Sequence, residues 1–436
     1  MKRPKLKLLL ASAIVPLTLA GVPAIAGEFD GVELRVKLIG GDQYEPLYAE
    51  IEKWEAETGA TVNILSRKNH FELDREIKQD IAAGTLNWCV GSNHTSFAPQ
   101  YGAIYRDLND VIDASVLAEF DALAIKNSTV HGRLVQLPRH SDISNMYYLK
   151  SVFEDQANKD GFKAKYGYDL APPETWDQVK DQAIYLTKSP DFFGTQYVGK
   201  DEAITGRFYE LLVANGGALF DADWNPTFNS AAGVEAVSWF KDLYDAGAVP
   251  KGVLSYLWGE TGNGFASGTI ALNLDWGGWA SYFNSADATA GNVGLIRAPK
   301  GSAGIRTGWS GSHTFSITET CDNVKAAASF VTFLTDYDRQ MVEASKGLLP
   351  TRTQVWVDAT AQFKADGNVF LANVMEVYSQ SMAEDAFTPP LIPEWIEVSN
   401  EIWPRLQSAI LGEMTIQAAL DEAAKSAAEV MKDAGY

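Results

Sequence analysis

The segment NLDWGGWASYF (Asn273 to Phe283) sets two tryptophans three residues apart around a Gly-Gly pair, with an amide and a carboxylate just before them. A flat indole matches the apolar C–H face of a pyranose ring. Amides and carboxylates match its hydroxyl rim, where an unpaired buried hydroxyl costs about 1–3 kcal/mol. Trp276 and Trp279 are therefore candidate stacking residues, with Asn273 and Asp275 as polar partners. TGWSGSH (Thr307 to His313) repeats the recipe with Trp309. One tryptophan alone is ordinarily core. Three on glycine-rich turns at strand ends read as binding surface, because functional side chains concentrate in such connections. Gly277 and Gly278 are expected to let the backbone turn sharply and approach a ligand.

Other polar groups fall at predicted strand ends. GGDQY supplies Asp42 and Tyr44, SRKNH supplies Arg67, and GSNHTS supplies Asn93 and His94. Asp142 and Arg352 complete the candidate set, near a hinge and on an opposite wall. His70, His94, His140 and His313 are four of only five histidines. A metal cluster, hydrogen bonds to a polar ligand, and unrelated loop histidines are all readings of them. Metal sites call for second-shell support that the sequence does not display, so no metal and no cofactor are expected. Catalytic signatures are scarce: there is no His-Glu-x-x-His, Gly-x-Ser-x-Gly, P-loop or Cys-x-x-Cys pattern. DADWNP (Asp221 to Pro226) starts like a calcium loop but has Pro226 where the turn needs glycine, and it reads as a plain hairpin. A glycosidase carboxylate pair stays open, since spatial separation decides that chemistry.

The elements that must position these groups follow from periodicity. VELRVKLI (Val32 to Ile39) alternates as a strand, and a helix follows near Tyr44 to Thr58 with Gly59 as its stop. Thr61 to Leu65 is a strand, Leu73 to Ala83 a helix, and LNWCVGS a further strand. This β-α-β-α-β order implies a parallel sheet with right-handed crossovers, whose ligands sit at the carboxyl ends of its strands. GRLVQLPRHSDISNMYYLK reads as strand, loop, strand. SHTFSITET is a strand, and the C-terminus is helical, with an apolar stripe from Ile416 to Met431.

The chain has 436 residues, 46% hydrophobic and 21% charged, enough for two or three domains. Residues 1–26 read as a secretory signal peptide, with a basic start, an apolar stretch too short to anchor in a bilayer of ~30 Å, and cleavage after Ala26. Without Lys2, Arg3, Lys5 and Lys7 the formal charge moves from −20 to −24. Such an acidic chain lacks the basic surface that nucleic acid or anionic lipid requires. No nucleic-acid partner and no membrane anchor are expected, and the mature chain should be free in the periplasm. The two cysteines, Cys89 and Cys321, are expected as buried free thiols.

The order of several segments resembles the family 1 extracellular solute-binding proteins of carbohydrate ABC importers, the group that includes maltose-binding protein. The segments are MYYLKSVFED, PPETWDQVKDQA, NGGALFDADWNPTFNS, FASGTIALNLDW, GWSGSHTFSITETCDNVKAAASFVTFLT, LLPTR and PEWIEVSNEIWPRLQSAILGEMTIQAALDEAA. The resemblance implies an α/β, two-lobe periplasmic binding protein fold with discontinuous lobes joined by a hinge. The first lobe would take residues 29–139 plus 305–349. The second would take 140–304 plus 350–436, with the C-terminal helices. It also implies a non-enzymatic, monomeric protein that captures a sugar or sugar derivative between the lobes and hands it to the membrane permease of an ABC importer. WCVGSNHTS and RHSDIS carry histidines outside the family pattern, which with Arg67, Lys68 and Arg139 keeps an anionic sugar derivative open. A periplasmic carbohydrate-active enzyme is the other alternative.

Overall fold

A computed structural model describes residues 27–436; the signal peptide and its cleavage site lie outside the described residues. Strand β1 (Glu33–Ile39) buries Leu34, Val36 and Leu38 on one face. Helix α1 (Ile51–Thr58) buries Ile51 and Trp54 and stops at Gly59, whose φ of 76° lies in the left-handed region. Strand β2 (Thr61–Lys68), helix α2 (His70–Ala83) and strand β3 (Val90–His94) follow. The Asn69 side chain accepts from the Glu72 amide and caps α2. β1 pairs in parallel with both β2 and β3, the arrangement that the alternating periodicity requires.

The centre of the molecule departs from expectation. The predicted strand, loop and strand around PRHSDIS form one strand, β4 (Leu137–Leu149), buried almost throughout. Pro138 is tolerated there because the register slips beside it: His313 pairs with His140 and Thr314 with Pro138, leaving Arg139 as an extra residue. The expected Trp309 turn is likewise inside a strand. Strand β5 (Phe193–Thr195), strand β6 (Ile270–Trp276), strand β7 (Val293–Arg297) and strand β8 (Gly308–Ile317), with the two-residue strands Leu349–Pro350 on β4 and Ala386–Phe387 on β8, complete the main sheet. Its order is β2-β1-β3-β8-β4-β6-β5, with β7 also on β4.

β4 and β8 run antiparallel to each other and pass between separate apolar cores. One core gathers β1, β2 and β3, Leu137 at the start of β4, Phe315 and Ile317 at the end of β8, and the helix Val324–Leu334. Two others gather the far half of β4 with β6 and β7, and the helices that cover them. The C-terminal helices Trp395–Leu411 and Ile416–Asp433 pack into the second region, and Ile396 also touches the first core.

Cys89 and Cys321 are disulfide-bonded, with Cα atoms 4.6 Å apart, which corrects the free-thiol expectation. Cys89 lies just before β3, and the Thr318 amide donates to its carbonyl at 3.0 Å. That contact extends the β3–β8 pairing past the strand ends and brings Cys321 alongside. No described helix is long and apolar enough to cross a membrane.

Candidate functional site

A cavity of about 340 Å³ opens between the cores, at the lower end of the range for small-molecule sites. Its two walls differ in chemistry.

The first wall is polar and is set by strand register. His313 on β8 lies directly across from His94 on β3 and from His140 on β4. Residues opposite each other on neighbouring strands share a sheet face, so the three rings form one row. Ring centroids are 5.0 Å apart for His94–His313 and 4.7 Å for His140–His313. His70, opening α2, stands 6.2 Å from His94. Asp142 follows on β4, its carboxylate 3.4 Å from His313 Nε2 and 3.6 Å from His140 Nδ1. Tyr44 packs on His140 and His313.

Burial holds three of the imidazoles, His70, His94 and His313, neutral. It lowers His70 to about 3, helped by His94, and His94 to about 4, with Asp142 opposing. His313 falls well below the ordinary histidine value through burial and then the neighbouring His140 and His94. A neutral imidazole offers one donor and one acceptor, which suits a hydroxyl. Burial, followed by the Asp142 charge, raises the Tyr44 hydroxyl.

The second wall is aromatic. Trp276 ends β6, Trp309 lies early in β8, and Trp258 opens helix α3 (Trp258–Ala266). Their ring centroids are 5.0 Å apart for Trp258–Trp276, 5.4 Å for Trp276–Trp309 and 6.0 Å for Trp258–Trp309, all edge to face. The Arg207 guanidinium backs the wall, 5.0 Å from the Trp258 ring and 5.1 Å from Trp276. Trp279 also lines the cavity and stacks on Phe283 at 5.7 Å. Glu202 and Glu260 add carboxyl groups. Burial pushes Glu202 up to about 8 while its carboxylate accepts from Trp395 Nε1 at 2.9 Å.

Of the residues singled out from sequence, Trp276, Trp279, Trp309, Gly278, Asp142, Tyr44, His70, His94, His140 and His313 line this cavity. The remaining candidates do not. Asn273 and Asp275 are fully buried behind the wall: Asn273 Nδ2 donates to Asp275 Oδ2 at 3.0 Å, and Asp275 Oδ1 accepts from the Trp276 amide at 2.9 Å. They hold Trp276 in place, and burial raises Asp275 to about 6 against the pull of Arg207. Asn93 turns into its own strand end, accepting from the His94 amide at 2.8 Å. Arg67 is a surface residue paired with Glu45. Arg352 is buried away from the cavity; its Nε donates to the Thr335 carbonyl at 2.6 Å, its Nη1 pairs with Glu119, and it stacks on Phe120. Asp42 begins a short 3-10 turn after β1; its side chain lies outside the described residues. Arg139 is spent on a buried pair with Glu343 at 2.6 Å, and Lys68 on Glu76 at the surface. Gly277 opens a 3-10 turn directly after β6, so the backbone does turn there, but without a left-handed φ. It is glycine because a Cβ there would lie 2.7 Å from Leu349 Cγ.

Sequence reasoning missed Trp258, Glu202 and Glu260. The one available signal was a tryptophan heading a helix, two residues before Glu260. The described lining contains no Lys or Arg. That lining favours a neutral or cationic ligand over an anionic one.

The family described as bacterial extracellular solute-binding protein matches residues 40–341. A probable ABC transporter-binding protein of Deinococcus radiodurans is 26% identical over 79% of this chain and 81% of that protein. A mannitol-binding protein of Pseudomonas aeruginosa is 25% identical over 71% and 72% of the two chains. Among solved structures, maltose-bound MalE3 of T. maritima superposes with a TM-score of 0.80 at 25% identity, covering 92% of this chain and all 100% of that one.

Proposed function

The chain belongs to the bacterial extracellular solute-binding proteins, and from that premise we propose that it captures a neutral sugar or sugar alcohol in the cavity between its cores. In this reading it acts in the periplasm as a monomer and presents the closed, loaded form to the membrane permease of an ABC importer. The relatives' names support the ligand class, since one binds mannitol and another was solved with maltose. The observation that carries it is the opposition of the two walls. Trp258, Trp276 and Trp309 offer an apolar platform, while His70, His94, His140 and His313 offer a rim of hydrogen-bonding groups. A polyhydroxylated ligand needs both, because its hydroxyls must be paired once water is excluded. Contacts to both walls would favour a closed state over an open one, with β4 and β8 as the hinge. This keeps the two-lobe division with residues 29–139 plus 305–349 on one side and the remainder on the other.

Isothermal titration of the mature chain against neutral hexoses, disaccharides, hexitols and pentitols, with a uronic acid as the anionic comparison, tests the reading. Saturable binding of a neutral member, recovered chemically unchanged, is expected. Binding of the uronic acid alone, or conversion of the bound sugar, would replace the reading with one of its two alternatives.

A further inference from the structure

The histidine row has a property that hydroxyl binding does not require. His94, His313 and Asp142 each present a ligating atom, and all of these atoms lie within 4.8 Å of one another. His313 Nε2 stands 3.4 Å from Asp142 Oδ2. Two ligands on a tetrahedral zinc ion, each at ~2.0–2.1 Å, are themselves ~3.3 Å apart, so this pair already spans one coordination edge. His140 adjoins, with Nδ1 3.6 Å from the other carboxylate oxygen. His140 Nε2 is buried with no hydrogen-bond partner, and its ring lines the cavity beside that of His313. His140 is only 2% exposed and His313 8%. Buried polar atoms in folded proteins are nearly always partnered, by protein, water or an ion.

We propose that His94, His313 and Asp142, with His140 beside them, bind a late first-row divalent cation of the Zn²⁺ class at the polar wall of the cavity. The donor set decides the class: two imidazoles and one carboxylate suit zinc, nickel, cobalt or copper, whereas calcium and magnesium call for oxygen ligands. The charge agrees, since the described lining holds the carboxyl groups of Asp142 and Glu260 and no Lys or Arg. The His94 ring is oriented for the task. Ser96 Oγ lies 2.5 Å from its Nδ1 and the Ser96 amide donates to the same atom at 3.2 Å, so Nδ1 is occupied within the chain and Nε2 is the nitrogen left for an ion once it gives up its proton. Space is kept by Gly311, which faces Asp142 across β4 and β8. A Cβ at Gly311 would lie 2.8 Å from His94 Nε2. Three protein ligands leave a tetrahedral ion one open position, and all three line the same cavity as the tryptophans. A ligand hydroxyl would fill that position; this last step alone rests on the sugar reading.

The test titrates untagged, chelator-stripped mature chain with Zn²⁺ in the absence of any sugar, by calorimetry and native mass spectrometry. One equivalent is expected. Asp142→Asn and His313→Gln, each with a melting curve like that of the parent, should weaken it roughly tenfold or more. His131→Asn alters an exposed histidine outside the cavity and should leave it unchanged. Co²⁺ in place of Zn²⁺ reads the unmodified chain directly, with visible absorption bands of an imidazole-ligated ion at one equivalent. Absence of stoichiometric Zn²⁺, absence of those bands, or an affinity that survives both cavity variants overturns the site. Should both variants melt early, the Co²⁺ spectrum of the parent chain decides. Sugar binding that persists when Zn²⁺ fails to bind overturns the metal site and leaves the proposed function standing.

Discussion

Trp276 and Trp309 meet edge to face at 5.4 Å although one ends β6 and the other lies in β8. The two are not equivalent. Trp309 is 2% exposed and Trp276 is half-buried. Trp309→Ala should cost about 3–5 kcal/mol of stability, as for a core aromatic. Trp276→Ala should cost clearly less, yet weaken sugar binding by roughly tenfold or more, about 1.4 kcal/mol. Paired melting curves and titrations of the two variants check this. Equal stability losses, or intact binding in Trp276→Ala, would show that Trp276 is a packing residue.

Arg352 should behave oppositely. Its guanidinium ties the Thr335 carbonyl and the Phe120 ring together away from the cavity. Arg352→Met should lower stability by about 1–3 kcal/mol, because it leaves the buried Thr335 carbonyl with only the longer bond from Gln340 Nε2 at 3.4 Å. Affinity measured below the melting range should stay at the parent value. A binding defect without a stability defect would return Arg352 to the ligand site.

Glu202 gives stability a dependence on pH. Burial lifts its carboxyl from 4.5 to about 8. Between these values the folded chain keeps a proton that the unfolded chain has lost. Its contribution is therefore fully present below pH 4.5, is lost as pH rises, and is gone above about pH 8. Glu202→Gln is neutral throughout. It should gain on the parent in melting temperature, by a few degrees, as pH is raised across that window. A constant difference between the two curves would mean that the carboxyl is ionised in the fold.

The disulfide should be felt in stability and not in affinity. Cys89 and Cys321 close a loop of 232 residues beside the β3–β8 pairing. Removing both as Cys89→Ser and Cys321→Ser should cost about 2–4 kcal/mol. Reductant should destabilise the parent and leave the double variant unmoved. A parent insensitive to reductant under unfolding conditions would mean that the thiols are free.

Legibility from sequence followed the physics of each segment. β1, α1, β2 and α2 announce themselves, since Leu34, Val36 and Leu38 alternate and Gly59 stops a helix. PRHSDIS misleads, because proline and a polar run ordinarily mark a surface loop. Here a register slip absorbs Pro138 and Arg139, and the polar residues are buried because their strand passes between two cores. Trp276 was legible as a large aromatic at a strand end. Asn273 and Asp275 were legible as polar neighbours but not as its supports, since facing the ligand and facing the protein share one alternation. The four histidines were legible as candidates near strand ends, but not as one row. Residues 94, 140 and 313 meet only through the register of β3, β8 and β4, which no local pattern encodes. The disulfide was hidden for the same reason.

The two strands that join the cores also carry much of the chemistry: His140 and Asp142 on β4, Trp309 and His313 on β8. Displacement in a rotation grows with distance from its axis. Trp258, on a helix of the second region, and Tyr44, on a turn of the first, sit directly against these strands, 6.0 Å from Trp309 and 5.7 Å from His140. In the proposed reading, the middle of the cavity is therefore the part that a change of angle between the cores disturbs least.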